Sequence, residues 1–240
     1  MQEWTGRIVL GDGWALFVGS GGSTPLHRHL AYKIVIGLNR AIDVVDEHGA
    51  TRNGRVVPIL PGQLHRVLAE DTRVGLYYAD AGAFPNSSLP GTRAIRALVA
   101  LCKRLDQGDE QAIRSLRDVP RLDGSCSADS RVATIVGQMR QPNDAKLEAI
   151  ASKVGLSHSR LSHLFTSTVG GAPARYRRWR RLWIAAELLG RGERIVDAAL
   201  DAGFSDAAHL TRTFVEMLGI TPGLFQASEV IVLPSGIEPS

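Results

Sequence analysis

Hydrophobic positions follow two different periods along the chain, and the change falls near residue 91. Before it, short apolar runs at 8–10, 15–18, 32–38, 41–45, 55–59 and 74–79 alternate with turn-forming clusters. Examples are Gly11-Asp12-Gly13, Asp46-Glu47-His48-Gly49, Asn53-Gly54 and Pro61-Gly62. Short runs at regular spacing with such residues between them predict strands of a small β-barrel or sandwich. Residues 84–90 read as a linker. From Gly91 the apolar residues step by three and four. Ile95, Leu98, Val99, Cys102 and Leu105 share one face of a predicted helix, and a short helix is expected over 109–116. A hinge rich in Pro, Gly and Asp follows at 119–126. Val132, Ile135, Val136 and Met139 then mark a helix over 131–140. Residues 229–240 contain two prolines and read as a frayed tail.

The last hundred residues hold one pattern written twice. An apolar-faced helix carries Ala151 in the first copy and Ala199 in the second, small enough for a crossing helix to approach. Four residues later stand Gly155 and Gly203, which can take the left-handed backbone of a tight turn. A Ser or Asp cap then opens a second helix, with Leu161, Leu164 and Phe165, or Leu210 and Phe214, facing inward. This is the helix-turn-helix, whose second helix enters the DNA major groove. A long helix over 173–189, with Pro173 in its first turn, joins the two copies.

Composition narrows the classes. The chain has 240 residues, 44% hydrophobic and 22% charged, enough for one or two packed domains. The net charge is +4, and Arg175, Arg177, Arg178, Arg180 and Arg181 crowd one helix, a face suited to phosphate. Cys102 and Cys126 lack metal-type spacing, which argues against a zinc finger or disulfide framework. The first residues lack a signal peptide's pattern, and no apolar run reaches the roughly eighteen residues of a membrane span. A soluble, cytoplasmic protein is expected. No Ser-His-Asp arrangement, phosphate loop or paired-carboxylate signature points to an enzyme.

The second half resembles the AraC/XylS family of bacterial transcription regulators over about residues 128–228. The resemblance rests on the two units above, on Ala199 to Asp206, on Leu210 to Phe214 and on the closing Gly219-x-x-Pro222. The family's closing aromatic-Arg pair is Phe225-Gln226 here. The resemblance implies an α+β multidomain chain: a cupin-like β-barrel with following helices, then an all-α domain with two helix-turn-helix units. The expected divisions are 1–88 (sensor), 89–126 (dimerisation helices and linker), 127–228 (DNA binding) and 229–240 (tail). It implies two recognition helices in successive major grooves, about 34 Å apart. Expected DNA contacts are Ser157, Ser159, Arg160, Ser162 and His163 from the first unit, and Ser205, Ala208, Thr211 and Arg212 from the second. Arg177 and Arg180 would meet phosphate; the arginines' alternative partners are Glu187 and Glu193. Arg212 is the expected base reader, because its fork can bond both acceptors of guanine.

The first half is similar to a cupin barrel through His27, His29 and His65. In metal-binding cupins two such histidines on one strand face a third, and a carboxylate follows four residues after the second. Here that position is Lys33, a cation that works against a metal. Two readings remain open: His27, His29, Lys33 and His65 bind a small-molecule effector, or the histidines are structural, with a metal on His27, His29 and His65 as a further option. The leading reading is an effector-controlled activator that binds double-stranded DNA, contacts RNA polymerase and forms a homodimer through the helix over 91–105. That helix's other expected role is packing on its own barrel. The alternative function is a constitutive or partner-controlled regulator whose barrel only dimerises. No cofactor is expected.

Overall fold

A computed structural model describes residues 4–82, 91–116, 129–140 and 145–234. The N-terminal half is built from β1 (Thr5–Gly11), β2 (Trp14–Ser20), β3 (Ala31–Gly37), β4 (Ile42–Asp46), β5 (Thr51–Gly54), β6 (Val56–Ile59), β7 (His65–Leu68) and β8 (Arg73–Asp80). They form two sheets, ordered β6-β3-β8-β2-β1-β9 and β5-β4-β7, with β9 (Glu229–Val232) supplied by the far end of the chain. β3 is buried along its whole length, because it runs between β6 and β8 and both its faces are covered. Leu16, Ile34, Val44, Ile59, Val67 and Tyr77 belong to one core shared by the two sheets.

Periodicity located most of these strands and missed β5, β7 and β9. β5 is exposed and polar, so it carries no apolar signal, and Asn53-Gly54 lies within it rather than in a turn. β7 has only alternate residues buried over four positions. β9 corrects the expectation of a frayed tail for residues 229–232. It pairs in parallel with β1, from Arg7 opposite Glu229 to Leu10 opposite Val232, and the Arg7 Nε donates to Glu229 Oε2 at 2.8 Å.

The helices are α1 (Thr92–Asp106), α2 (Glu110–Ser115), α3 (Ser130–Arg140), α4 (Leu147–Lys153), α5 (His158–Val169), α6 (Pro173–Gly190), α7 (Ile195–Asp201), α8 (Ala207–Leu218) and α9 (Pro222–Gln226). The inner stripe of α1, Leu98, Cys102 and Leu105, is buried. Cys102 covers Gly75 of β8, and the Arg73 Nε donates to Asp106 Oδ1 at 2.8 Å. Of its two expected roles, this stripe therefore takes packing on its own barrel. The expected linker and hinge lie outside the described residues, as does Cys126.

Each helix-turn-helix has the local chemistry its sequence called for. Gly155 and Gly203 take positive φ of 67° and 80°. Ser157 caps α5 by accepting from the Arg160 N–H, and Asp206 caps α8 by accepting from the His209 N–H at 2.7 Å. Ala151 and Ala199 are buried at the helix crossings, as are Leu161, Phe165, Leu210 and Phe214 on the inner faces of α5 and α8. Pro222 opens α9, Phe225 packs edge-on against Phe214, and the Gln226 amide donates to the Glu193 carbonyl at 2.8 Å. The glutamine thus supplies a structural bond at the position where the family carries arginine.

Candidate functional site

The residues expected to meet DNA fall on the outer sides of α5 and α8. Ser157, Ser159, Arg160 and His163 are exposed, and Ser162 is half-buried. On α8, Ala208 and Arg212 are exposed while Thr211 is half-buried. The Thr211 hydroxyl donates back to the Ala207 carbonyl at 2.8 Å, as helix threonines often do. The Ser205 hydroxyl donates to Asp206 Oδ2 at 2.9 Å, reinforcing the cap. The carboxylate of Asp206 is held below its ordinary pKa, first by the bond from the His209 N–H and then by the Ser205 hydroxyl.

The basic helix α6 is more occupied than its composition suggested. Arg175 and Arg178 reach Glu216 of α8 at 3.1 and 3.3 Å, and the Arg177 guanidinium donates to the Ala145 carbonyl. The Arg181 guanidinium donates to the Gly203 carbonyl at 3.0 Å. Arg180 turns inward, with Nη1 3.8 Å from Asp80 Oδ2 of the barrel. The partners are therefore Glu216 and Asp80 rather than Glu187 and Glu193. Arg180, expected on phosphate, is engaged by the barrel because a buried carboxylate needs a counter-charge. Arg175, Arg177, Arg178 and Arg181 still line an open basic cleft with Phe204 and His209.

Asp80 was not singled out in the sequence, and it is the centre of the junction between the two halves. It stands at the end of β8, fully buried. The Tyr176 hydroxyl donates to its Oδ2 at 3.0 Å and the Trp179 indole N–H to its Oδ1 at 3.2 Å. Burial is the largest influence on Asp80 and raises its pKa; Arg180 opposes that shift. Tyr176 and Trp179 recur at helical spacing and read as core. The only sequence signal for their second role was a carboxylate closing an apolar strand.

Between the halves lies an apolar cavity of about 90 Å³. The barrel contributes Trp4, Leu10, Phe17, Leu76 and Tyr78; the helical half contributes Trp179, Leu182, Trp183, Leu218 and Phe225. Lys33 also lines it and is 1% exposed. Its Nζ lies 4.9 Å from the centroid of the Tyr78 ring. Burial lowers the Lys33 pKa to about 7. Of the residues expected to meet an effector, the cavity brings in Lys33 alone. It sits between barrel and helices rather than inside the barrel alone, and His27, His29 and His65 do not line it.

Those three histidines come together elsewhere. His27 and His65 form an antiparallel bridge, with N–H to carbonyl bonds of 2.9 and 3.0 Å in the two directions. His27 and His29 lie in the segment before β3, not on one strand. The ring centroids of His27 and His65 are 4.2 Å apart, and those of His29 and His65 are 5.0 Å apart. Burial keeps His27 and His29 well below the usual imidazole pKa, and lowers His65 to about 3.

A family model described as a helix-turn-helix domain matches residues 150–228. The chain is 36% identical over 90 residues to the probable transcription factor PqrA of Proteus vulgaris and covers 74% of it. The chain belongs to the AraC/XylS family of transcription regulators. It is also 34% identical over 91 residues to the bifunctional transcriptional activator/DNA repair enzyme Ada of Escherichia coli K12, and spans one quarter (25%) of that protein. Both matches involve 37% of the present chain. Likeness over nearly the whole chain comes from structures of ToxT of Vibrio cholerae. One from strain O395 has a TM-score of 0.60 at 10% identity and covers 90% of this chain and 98% of that one. One with an unsaturated fatty acid bound has a TM-score of 0.59 at 15% identity and covers 94% and 98%. At that identity the likeness is one of fold: an N-terminal β half carrying the AraC-type helical half. No helix among the described residues is long and apolar enough to cross a membrane.

Proposed function

We propose that this protein is a sequence-specific DNA-binding transcription regulator whose hold on DNA is set by a small amphipathic acid between its two halves. The observation that carries the reading is the fully buried Lys33 in the wall of a mostly apolar cavity shared by the barrel and the helical half. A buried ammonium is stabilised by an anion, and the apolar walls suit a hydrocarbon tail. The cavity, at about 90 Å³, is well below the roughly 300–1,000 Å³ of an ordinary small-molecule pocket. A longer tail therefore has to part α6 and α9 from the barrel. A ligand that fits one arrangement better than another shifts their populations, as effector control requires. The fatty acid bound to ToxT agrees in chemistry with this reading.

The α6 helix has 18 residues and is about 27 Å long. With the width of the flanking units, α5 and α8 would reach successive major grooves on one DNA face. Domain limits near 88 and 127 follow from this division of labour, and activation through RNA polymerase is the mode we assign. A homodimer would use a face other than the inner stripe of α1, which its own barrel covers.

The test begins with fragments selected from genomic DNA by the purified protein. Affinity for a selected site is then measured with straight-chain carboxylic acids of increasing length. The expected result is a change of about tenfold in affinity with an acid, absent with the matching alcohol and absent in Lys33→Met, whose basal DNA binding persists. Affinity indifferent to every acid would overturn effector control in favour of a constitutive regulator.

A further inference from the structure

Three buried imidazoles each keep one ring nitrogen without a partner. His27, His29 and His65 are 1%, 1% and 0% exposed. Each has its Nδ1 3.0 Å from a backbone carbonyl two residues away: Pro25, Ala31 and Gln63 respectively. A neutral imidazole in that position donates its Nδ1–H, which leaves the lone pair on Nε2. None of the three Nε2 atoms has a hydrogen-bond partner. A buried polar atom without a partner costs about 1–3 kcal/mol, so three at one place call for a ligand. One ring nitrogen of each histidine lies within 4.8 Å of the others, the one such grouping among the described residues.

We propose that His27, His29 and His65 form a site for a divalent ion of the zinc class, tying together two loops on which both recognition helices end. The donor set decides the ion. Neutral imidazoles suit zinc, cobalt, nickel or copper, whereas magnesium and calcium require oxygen. Carbonyls that fix each ring through Nδ1 are the usual outer support of a histidine ligand. Three nitrogens leave a fourth position for water or an anion. The Lys33 charge acts on all three rings, so an anion in that position would offset ion and ammonium together.

The site's place in the fold gives it a further consequence. The Arg28 N–H donates to the Glu216 carbonyl at 3.2 Å, and Gly219, the cap of α8, packs on Thr24 and His27. Gly170, the cap of α5, packs on Pro61, and Gly171 packs on Leu30. The Gly62 N–H donates to the His29 carbonyl at 2.8 Å, joining the two loops directly. The Trp179 ring of α6 lies 6.2 Å from that of His29. An ion held by all three histidines would stiffen the platform beneath α5 and α8 together. This consequence rests on DNA binding by those helices.

The test uses the full chain after chelator treatment, titrated with Co²⁺ and then Zn²⁺. The expected result is one ion per chain, a tetrahedral cobalt spectrum, and a raised Tm with zinc. Both effects should be lost in His29→Ala and His65→Ala. X-ray absorption of the zinc-loaded wild-type protein, which needs no variant to fold, should show three imidazole nitrogens at about 2.0–2.1 Å. A folded wild-type protein that binds neither ion, or binds zinc without imidazole, overturns the site. DNA affinity with and without zinc is read separately and should change by at least about fivefold. An ion bound through three imidazoles with unchanged affinity overturns the coupling and leaves the site standing. A protein that binds ions but no selected DNA counts against the regulator reading, not the site.

Discussion

Arg212 is the residue on which sequence reading of DNA would turn. It is exposed on α8, flanked by Ala208 and a Thr211 whose hydroxyl is spent on its own helix. Arg212→Ala is expected to cost about 1–3 kcal/mol at a specific site, with a much smaller loss on random DNA. Competition binding at fixed salt reads the difference, and equal losses would make Arg212 a phosphate contact only. Asp206 acts through the backbone. Its folded-state pKa is depressed, chiefly by the bond from the His209 N–H. Its stabilising effect is therefore complete above the unfolded carboxylate value of about 3.9 and is lost as pH falls through the lower folded value. Asp206→Asn keeps a capping side chain without the charge. Unfolding by acid, followed by circular dichroism, should be less steep over that window in the variant. The Asp206 cap was legible because capping depends on local spacing, and the same spacing put Arg212 on the outer face of α8. The pairing of Lys33 with Tyr78 was not legible, since the register of β3 against β8 that sets Lys33 opposite Tyr78 is a tertiary fact.

At the scale of elements, α6 serves both halves. One side of it buries Leu182, Ala185, Ala186 and Leu189, and Tyr176 and Trp179 reach Asp80 of the barrel. The periodicity of the helix was plain in the sequence. Its attachment was hidden, because an aromatic at helical spacing looks the same whether its polar atom is satisfied within the helical half or by another unit. Asp80→Ala would leave the Tyr176 hydroxyl, the Trp179 N–H and the Arg180 charge without their acceptor. The expected cost is about 3–5 kcal/mol, read by urea unfolding, with Asp80→Asn costing clearly less. A pH dependence separates the two effects. Because burial raises the Asp80 pKa in the folded state, its contribution is full below the unfolded value and declines as pH rises through the folded one. Asp80→Asn should flatten that decline. A variant as pH-sensitive as the wild type would show that another group governs the junction.

At the scale of the whole molecule, the chain closes on itself. The sequence marked where strands give way to helices near residue 91, and it marked both helix-turn-helix units, because each depends on neighbours within about twenty residues. It did not show that the chain returns from the helical half to the first strand. Glu229–Val232 is four residues long and half-exposed apart from Glu229, and a parallel partner more than two hundred residues away leaves no periodic trace. Yet this strand covers the edge of β1. It also packs Val230 and Val232 against Gly190 at the end of α6, and the Leu233 N–H donates to the Leu10 carbonyl at 2.8 Å. The helical half is thus held to the barrel by side chains and loops, at Asp80 and where the caps of α5 and α8 meet the segments around His27 and Pro61, and again by a strand pair at β9. Ending the chain after Ser228 removes the second hold and uncovers an edge with free N–H and C=O groups, a template for association. The truncated protein should still bind DNA, since α4 to α9 are intact. Its barrel should melt at a lower temperature and associate as concentration rises, and its response to an effector acid should weaken, because parting the halves no longer breaks a strand pair. Light scattering, calorimetry and the acid titration on one preparation read all three. An unaltered acid response would place the control of DNA binding at the Asp80 junction and the loop contacts beside it, not at β9.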